Sequence, residues 1–269
     1  MKLKVLVDNN TYIDHYYCGE PAVSYYIEDE DIRLLLDVGY SDLFIRNADV
    51  LGVDLEHLNA IVISHGHDDH TRGLKYYFEL YKRKKISIIA HPDAFNEKIM
   101  GNLKICSPFL QEELKDKCNL FLSKKPQKIS KHLFFLGEIP QLNQFEIRHP
   151  IGKQITDNTE SEDFVMDDTA LAYKNENGIY IITGCSHSGI CNIIEYAKQV
   201  CEDNRVLGII GGFHLFKVDE QVDKTIEYLK HNDISNLYPC HCTSFAVRAA
   251  IHKFLPVKEV GVGLELNWN

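Results

Sequence analysis

The sequence lacks any long apolar run. No stretch approaches the roughly 20 consecutive apolar residues that a membrane helix needs. The first eight residues alternate like a short strand and are followed by polar residues, whereas an export signal has an apolar core. We therefore expect a cytoplasmic protein with no membrane partner.

Positive charge is also scarce. The 269 residues contain 29 Lys and Arg against 39 Asp and Glu, which gives a net charge of -10 and a pI near 5.7. A protein that follows a nucleic-acid backbone needs a basic face. The composition therefore predicts that the chain has no nucleic-acid partner.

The eight cysteines do not indicate a disulfide framework. Such frameworks are typical of small exported domains, whereas this chain is long and is expected to stay in the cytoplasm. We predict that the thiols are reduced. The sequence does not specify the oligomeric state.

Three histidines and two aspartates directly follow one short apolar run, 61–63, that is typical of a buried strand. His65 and His67 alternate on one side of a tight turn and can bind one ion. Asp69 and His70 point the other way and suit a neighbouring ion. Imidazole and carboxylate together favour zinc or a similar first-row divalent metal. The spacing therefore predicts a metal centre at this turn.

Other predicted strands also end in polar side chains. Asp37 follows an apolar strand, where it can cap the next helix, belong to an active site, or do both. His91 follows another strand, where it either lines the substrate pocket or has a structural role. Because active sites of α/β proteins collect at the carboxyl ends of strands, both positions favour a function.

The order of strand, polar cluster and helix repeats along the chain. Two such halves predict an α/β fold, a four-layer αβ/βα sandwich with two mixed sheets inside and helices outside. With 45% hydrophobic residues the chain can bury a large core, so we expect a single domain over 1–269. We also expect a lid or cap insertion around 93–130 and a solvated acidic loop over most of 141–168.

The segment Ser64-His65-Gly66-His67-Asp68-Asp69-His70 resembles the signature of the metallo-β-lactamase-fold hydrolase superfamily. Seven further short motifs extend the likeness over nearly the whole chain: Val7-Asp8-Asn9, Leu36-Asp37-Val38-Gly39, His91-Pro92-Asp93-Ala94-Phe95, Gly137-Glu138-Ile139-Pro140, Gly184-Cys185-Ser186-His187, Gly211-Gly212-Phe213-His214-Leu215 and Pro239-Cys240-His241-Cys242-Thr243.

This combination resembles the branch named for 7,8-dihydropterin-6-yl-methyl-4-(β-D-ribofuranosyl)aminobenzene 5′-phosphate synthase. The branch takes its name from a condensation that expels diphosphate from a pterin methyl diphosphate. The resemblance implies the αβ/βα sandwich and a site for two divalent metal ions, zinc first, with manganese or iron as alternatives. It also implies that Asp37 supports the metal ligands, a role consistent with orienting an imidazole. A small-molecule anionic substrate is expected because two dications at the pocket floor would dominate the local potential.

Two departures from the superfamily pattern leave the ligand set open. The usual third histidine, in a Gly-His-Thr-Pro-Gly type turn, is absent, and Cys185 stands where a bridging Asp is usual. The preferred ligands are His65, His67 and His187 for one ion and Asp69, His70 and His241 for the other. The Cys185 thiolate is a further candidate ligand or supporting group, and the vacant places can also be filled by His149, Asp167 or Asp168.

The flanking thiols of Cys240-His241-Cys242 are interpreted as packing. Alternate residues of a strand face opposite ways, so the imidazole and the two thiols would not all face one ion. The chain therefore does not predict a separate structural zinc site here.

Two metal ions about 3.5–4 Å apart can generate hydroxide near neutral pH and hold the oxygens of an ester or phosphate. We expect Asp69 to orient the attacking hydroxide and His214 to give a proton to the leaving group, although His214 could instead be a core or helix-capping residue. The sequence thus predicts a dinuclear hydrolase or transferase for a phosphorylated or ester-bearing small molecule.

Two other classes of function remain open. An oxidoreductase on the same fold would need Glu in the place of His67 and usually a flavin domain. A catalytically silent metal-binding protein would be expected to have lost a ligand of the first motif, and all of them are present. β-Lactam hydrolysis is disfavoured because no export signal is expected.

Overall fold

The computed structural model describes residues 1–82, 85–156 and 158–268. It divides into two compact units. The first unit comprises Met1–Lys124, His149–Asp167 and Gly261–Asn269, and the second comprises Lys125–Arg148 and Asp168–Val260. The single domain over 1–269 stays a prediction.

A mixed sheet of seven strands forms the centre of the first unit. Its strands are β1 (Lys2–Val7), β2 (Ser24–Asp29), β3 (Ile32–Leu36), β4 (Ala60–Val62), β5 (Ser87–Ala90), β8 (Asn119–Leu122) and β17 (Glu265–Asn267). The order is β17-β1-β2-β3-β4-β5-β8, antiparallel as far as β3 and parallel from there on. The carboxyl ends of β3, β4 and β5 therefore place Asp37, Ser64 and His91 at one edge of this sheet.

Four short strands form a second, antiparallel sheet in the first unit: β6 (Glu97–Met100), β7 (Leu103–Lys104), β11 (Lys153–Thr156) and β12 (Thr159–Glu162). Residues 141–152 are irregular and mostly exposed or half-buried, in agreement with the predicted solvated loop, but the prediction is wrong for much of the rest of 141–168. That part contains β11 and β12, and its Asp163, Asp167 and Asp168 are at most 1% exposed and accept hydrogen bonds from buried donors. The predicted loop residue Asp157 lies outside the described residues.

The helices of the first unit are α1 (Leu43–Val50), α2 (Asp68–Thr71), α3 (Leu74–Leu80), α4 (Gln111–Leu114) and a 3-10 turn, Pro92–Phe95. Phe44 of α1 and Tyr77 of α3 are fully buried in the same apolar cluster as Leu35 and Ile61 of the sheet. This packing fixes the strand ends that carry the polar motif. The lid proposed for 93–130 stays a prediction.

The second unit is built on a six-stranded sheet. Its strands are β9 (Gln127–Lys128), β10 (Leu133–Phe135), β13 (Ala170–Lys174), β14 (Ile179–Thr183), β15 (Val206–Gly212) and β16 (Asn236–Cys240). β13 and β14 pair as an antiparallel hairpin, and β14, β15 and β16 pair in parallel. The residues that follow these three strands therefore share one edge of the sheet.

Three helices pack in the core of the second unit: α5 (Ile190–Cys201), α6 (Glu220–His231) and α7 (Phe245–His252). Helix α5 buries Ile190, Ile193, Ile194 and Ala197, which recur at the spacing of one helical face. No helix among residues 1–82, 85–156 and 158–268 is long and apolar enough to span a membrane.

Candidate metal centre

The turn between β4 and α2 brings donor atoms of the first unit together. His65 Nε2 lies 3.0 Å from His67 Nδ1, and donor atoms of His65, His67 and Asp69 all lie within 4.8 Å of one another. Both imidazoles are buried, with exposed fractions of 0% and 8%. Two imidazoles and a carboxylate at this spacing fit a first-row divalent ion.

His70, on α2, is oriented by a buried carboxylate. Asp37 Oδ2 lies 2.7 Å from His70 Nδ1, and the same carboxylate accepts hydrogen bonds from the Ser64 amide and hydroxyl at 2.8 and 2.7 Å. Because the carboxylate oxygen accepts from the ring, Nδ1 carries a proton, and Nε2 is the nitrogen that can bind a metal once its own proton is released. Nε2 faces Asp69 Oδ2 at 3.4 Å. This contact is the one predicted for Asp37, although its role toward a metal stays a prediction.

The imidazoles of His67 and His70 differ in their affinity for protons. Burial, followed by the Lys98 ammonium, lowers the pKa of His67 to about 4, so this ring is neutral at neutral pH, the form that binds metal. Burial alone would lower the pKa of His70, but the carboxylates of Asp69 and Asp37 raise it well above its ordinary value. A site that attracts a proton this strongly also attracts a metal cation.

Gly66 lies between His65 and His67, at a position where no side chain fits. A Cβ at Gly66 would lie 2.1 Å from the Ala94 carbonyl oxygen and 3.1 Å from Lys98 Cε. The Gly66 amide donates to Asp167 Oδ2 at 2.7 Å, and Asp167 Oδ1 accepts from Lys98 Nζ at 2.8 Å. Both oxygens of Asp167 are therefore occupied by donors of the first unit.

Left-handed backbone marks the strand ends of the second unit. Ser186, His214 and His241 have φ of 56°, 51° and 49°, and they follow β14, β15 and β16. Such angles are uncommon for residues other than glycine, and they cluster at functional sites. The Ser186 hydroxyl donates to the Gly212 carbonyl at 2.7 Å, which ties the first of these turns to the second.

A second donor group lies within the second unit. Donor atoms of Cys185, His214 and Cys242 are within 4.8 Å of one another. Burial would raise the pKa of the Cys242 thiol, but hydrogen bonds with Cys185 and His214 hold it well below its ordinary value. The ring of His214 lies 4.1 Å from that of His187, centroid to centroid. These side chains form a thiol and imidazole cluster suited to zinc or iron.

The prediction that both thiols flanking His241 only pack is wrong for Cys242. It relied on strict alternation, but β16 ends at Cys240 and His241 leaves the extended conformation, which redirects the residue after it. Cys240 is fully buried in the sheet. The Thr243 hydroxyl accepts a hydrogen bond from the Phe213 amide at 2.9 Å and so stabilises the turn. No local sequence pattern predicts this contact.

The remaining predicted residues have clear surroundings. His91 is fully buried, and its Nδ1 accepts from the Asp93 amide at 3.1 Å, which caps the 3-10 turn. Its place in a substrate pocket stays a prediction. Asp168 accepts from the Ser188 amide at 2.9 Å and from its hydroxyl, and His149 is exposed. The assignment of His187 and His241 as ligands rests on the sequence.

Similarity to known proteins identifies the family of this chain. Residues 19–198, more than half of the chain, match the model of the metallo-β-lactamase superfamily. An uncharacterized protein of Methanocaldococcus jannaschii is 37% identical over 247 residues, which are 90% of this chain and 91% of that protein. The 7,8-dihydropterin-6-methyl-4-(β-D-ribofuranosyl)-aminobenzene-5′-phosphate synthase of the same organism is 30% identical over 262 residues, 91% of this chain and 88% of the enzyme.

A solved structure supports the same assignment. The crystal structure of Tm1679, described as a metal-dependent hydrolase of the β-lactamase superfamily, superposes with a TM-score of 0.84 at 26% identity. The match covers 100% of this chain and 99% of that one. The predicted α/β fold class and the predicted resemblance are both confirmed. The chain belongs to the metallo-β-lactamase superfamily.

Proposed function

We propose that this protein is a dinuclear metal-dependent hydrolase or transferase acting on a small anionic molecule that carries a phosphate or ester. The observation that carries the proposal is the buried donor group of the first unit, His65, His67 and Asp69, beside a His70 oriented by Asp37. An unused metal site would not need so many buried polar groups in one turn, because each is costly to desolvate.

The residues of the first motif, His65, His67, Asp69 and His70, are proposed to hold the ions, with His187 and His241 as further ligands assigned from the sequence. Zinc suits these donors best, with manganese and iron as alternatives. Bound divalent ions would supply Lewis acidity toward a phosphoryl or ester oxygen and lower the pKa of a water molecule.

The side chains of the protein have separate tasks. The Asp69 carboxylate is proposed to orient the attacking nucleophile by accepting its proton. His214 is proposed to protonate the leaving group. Its ring lies 4.1 Å from that of His187 and 4.8 Å from that of Phe216, which hold it in place.

The name of one relative bears on the substrate. A protein 30% identical to this chain is named as a synthase of a dihydropterin aminobenzene ribofuranosyl phosphate. This favours a phosphorylated substrate and leaves condensation and hydrolysis as two outcomes of one site. A cytoplasmic location and the absence of a nucleic-acid partner remain predictions from composition.

Metal content tests the proposal most directly. Purified protein should hold up to two divalent ions per chain by elemental analysis. His67→Ala and His70→Ala should each lose metal, because each removes a buried donor of the motif. The matched control is His57→Ala, which removes an exposed histidine of the same unit and should keep full metal content. Full metal content in folded His67→Ala and His70→Ala proteins would refute the assignment of this motif.

Product analysis then separates the two reactions. Incubation of the metal-loaded protein with phosphomonoesters, phosphodiesters and alkyl diphosphates, with and without an arylamine acceptor, should release phosphate, diphosphate or alcohol. Product formation that requires the acceptor would assign a transferase. Turnover of none of these compounds by fully loaded protein would refute the proposed substrate class.

A further inference from the structure

Resting on the proposed function, we infer that Lys98 and Asp167 are positioning residues that hold the metal-binding turn in its ligating shape before any ion arrives. Neither side chain is assigned as a ligand. They act on the turn through the backbone of Gly66, the residue between His65 and His67.

Lys98 is a fully buried lysine, at 0% exposure. Its Nζ contacts two carboxylates, Asp163 Oδ2 at 2.9 Å and Asp167 Oδ1 at 2.8 Å, and both acids are 1% exposed. Burying three charges in one place is costly, and such groups could often be replaced by apolar side chains without loss of stability. A buried ion cluster of this kind therefore calls for a reason other than stability.

The second oxygen of each carboxylate shows the difference between the two acids. Asp167 Oδ2 accepts from the Gly66 amide at 2.7 Å, inside the metal motif. Asp163 Oδ1 accepts from the Val165 amide at 2.9 Å, outside the motif. Lys98 thus fixes Asp167, and Asp167 fixes the turn.

Gly66 is restrained from another direction as well. Its α-carbon faces the Ala94 carbonyl and the Lys98 side chain so closely that a Cβ would lie 2.1 Å and 3.1 Å from them. With its amide bound to Asp167 and its α-carbon against Ala94, the turn has little freedom to rotate. The backbone that carries His65 and His67, whose ring nitrogens lie 3.0 Å apart, is therefore held by contacts that need no metal.

The chain offers a matched pair of variants. Asp167→Asn and Asp163→Asn each remove one charge that faces Lys98, but only the first also alters the contact with Gly66. Both should lower the midpoint of thermal unfolding. Groups that orient ligands typically contribute about 10–100-fold to metal affinity. We expect Asp167→Asn to weaken zinc binding by that factor in competition with a chromophoric chelator, whereas Asp163→Asn stays within about twofold of wild type.

Two further readouts separate positioning from other roles. The visible spectrum of the cobalt(II)-loaded protein should change in Asp167→Asn and not in Asp163→Asn, because ligand geometry sets the intensity of those bands. The number of ions bound at saturation should be unchanged. Loss of one ion outright would make Asp167 a ligand, and equal affinities for the two variants would make the cluster purely structural, so either result overturns the inference.

One measurement needs no variant and holds even if Asp167→Asn fails to fold. In metal-free wild-type protein the Gly66 amide should resist hydrogen exchange about as strongly as the amides of β4. Rapid exchange at Gly66 that slows only when zinc is added would show that metal, not Asp167, shapes the turn. Wild-type protein that binds none of zinc, manganese and iron would refute the proposed function itself, whereas the results above count against the positioning role alone.

Discussion

The two units assemble their donor groups in different ways. In the first unit, His65, His67, Asp69 and His70 lie within six consecutive residues after a single strand. In the second unit, the group of Cys185, His214 and Cys242 draws on the ends of three parallel strands. One group is local in sequence, and the other depends on the pairing of β14, β15 and β16.

The two sites share left-handed backbone but differ in its support. Asp37 of the first unit has φ of 60°, and His214 and His241 of the second unit have φ of 51° and 49°. Left-handed backbone in such residues costs of order 1–3 kcal/mol each, and the surrounding packing must offset this cost. The turn of the first unit is also held at Gly66, where Asp167 accepts from the backbone amide. We infer that the second group depends more on the pairing of its strands than the first.

Among substitutions that test this comparison, the largest effect is expected for His214. Its replacement by Ala should slow turnover of substrates with poor leaving groups by about 10²–10⁴-fold, the range expected for general acid catalysis. Turnover of nitrophenyl phosphodiesters should be nearly unaffected, because nitrophenolate leaves without a proton. Metal content should not change. Steady-state kinetics on both substrate types and elemental analysis of the same samples measure this.

The geometry defines the alternative for His214. Its donor nitrogen lies within 4.8 Å of the thiols of Cys185 and Cys242. If His214→Ala loses metal, or slows both substrate types equally, His214 belongs to a thiolate metal site or to the core, and its acid role is wrong.

A second test compares the imidazole of His187 with the thiol of Cys185. We favour His187 as the ligand, so His187→Ala should lose one ion or at least the 10–100-fold in affinity that even indirect ligand contacts contribute. Cys185→Ser should keep most of its metal. Competition with a chelator measures the zinc affinity of both variants. Cys242→Ser is measured beside them because its thiol belongs to the same donor group as Cys185. The reverse order of losses would make the thiolate the ligand.

The comparison also explains which features could be predicted from the sequence. The motif at 64–71 and the strands that precede polar clusters are written in adjacent residues, so periodicity and spacing are sufficient to find them. Asp37 could be placed for the same reason, since it ends an apolar strand. The buried Lys98 cluster could not, because it joins residues 65 and 69 positions apart in the chain. Cys242 was missed because the left-handed turn at His241 breaks the alternation that a strand would give.

The smallest of these effects tests the support of the first unit. Asp37→Asn should weaken zinc binding by about 10–100-fold while the protein stays folded. Asn tolerates the left-handed φ of 60° at this position, so the backbone should not change. The side-chain amide introduced by the substitution would donate a hydrogen bond to His70 Nδ1, which in the wild-type protein lies 2.7 Å from Asp37 Oδ2. The ring proton would then move to Nε2, the nitrogen needed for the metal.

Nitrogen chemical shifts of His70 in metal-free protein, measured at a pH high enough for the ring to be neutral, would report this change of tautomer, and chelator competition would report the affinity. Asp42→Asn is the control, because Asp42 is half exposed at the start of α1 and should leave zinc binding unchanged. If Asp37→Asn binds zinc as tightly as wild type, the carboxylate does not select the tautomer of His70. The first unit would then hold its ligands by the turn alone, through Gly66, and the contrast with the second unit would rest on the spacing of the donors along the chain and not on buried carboxylates.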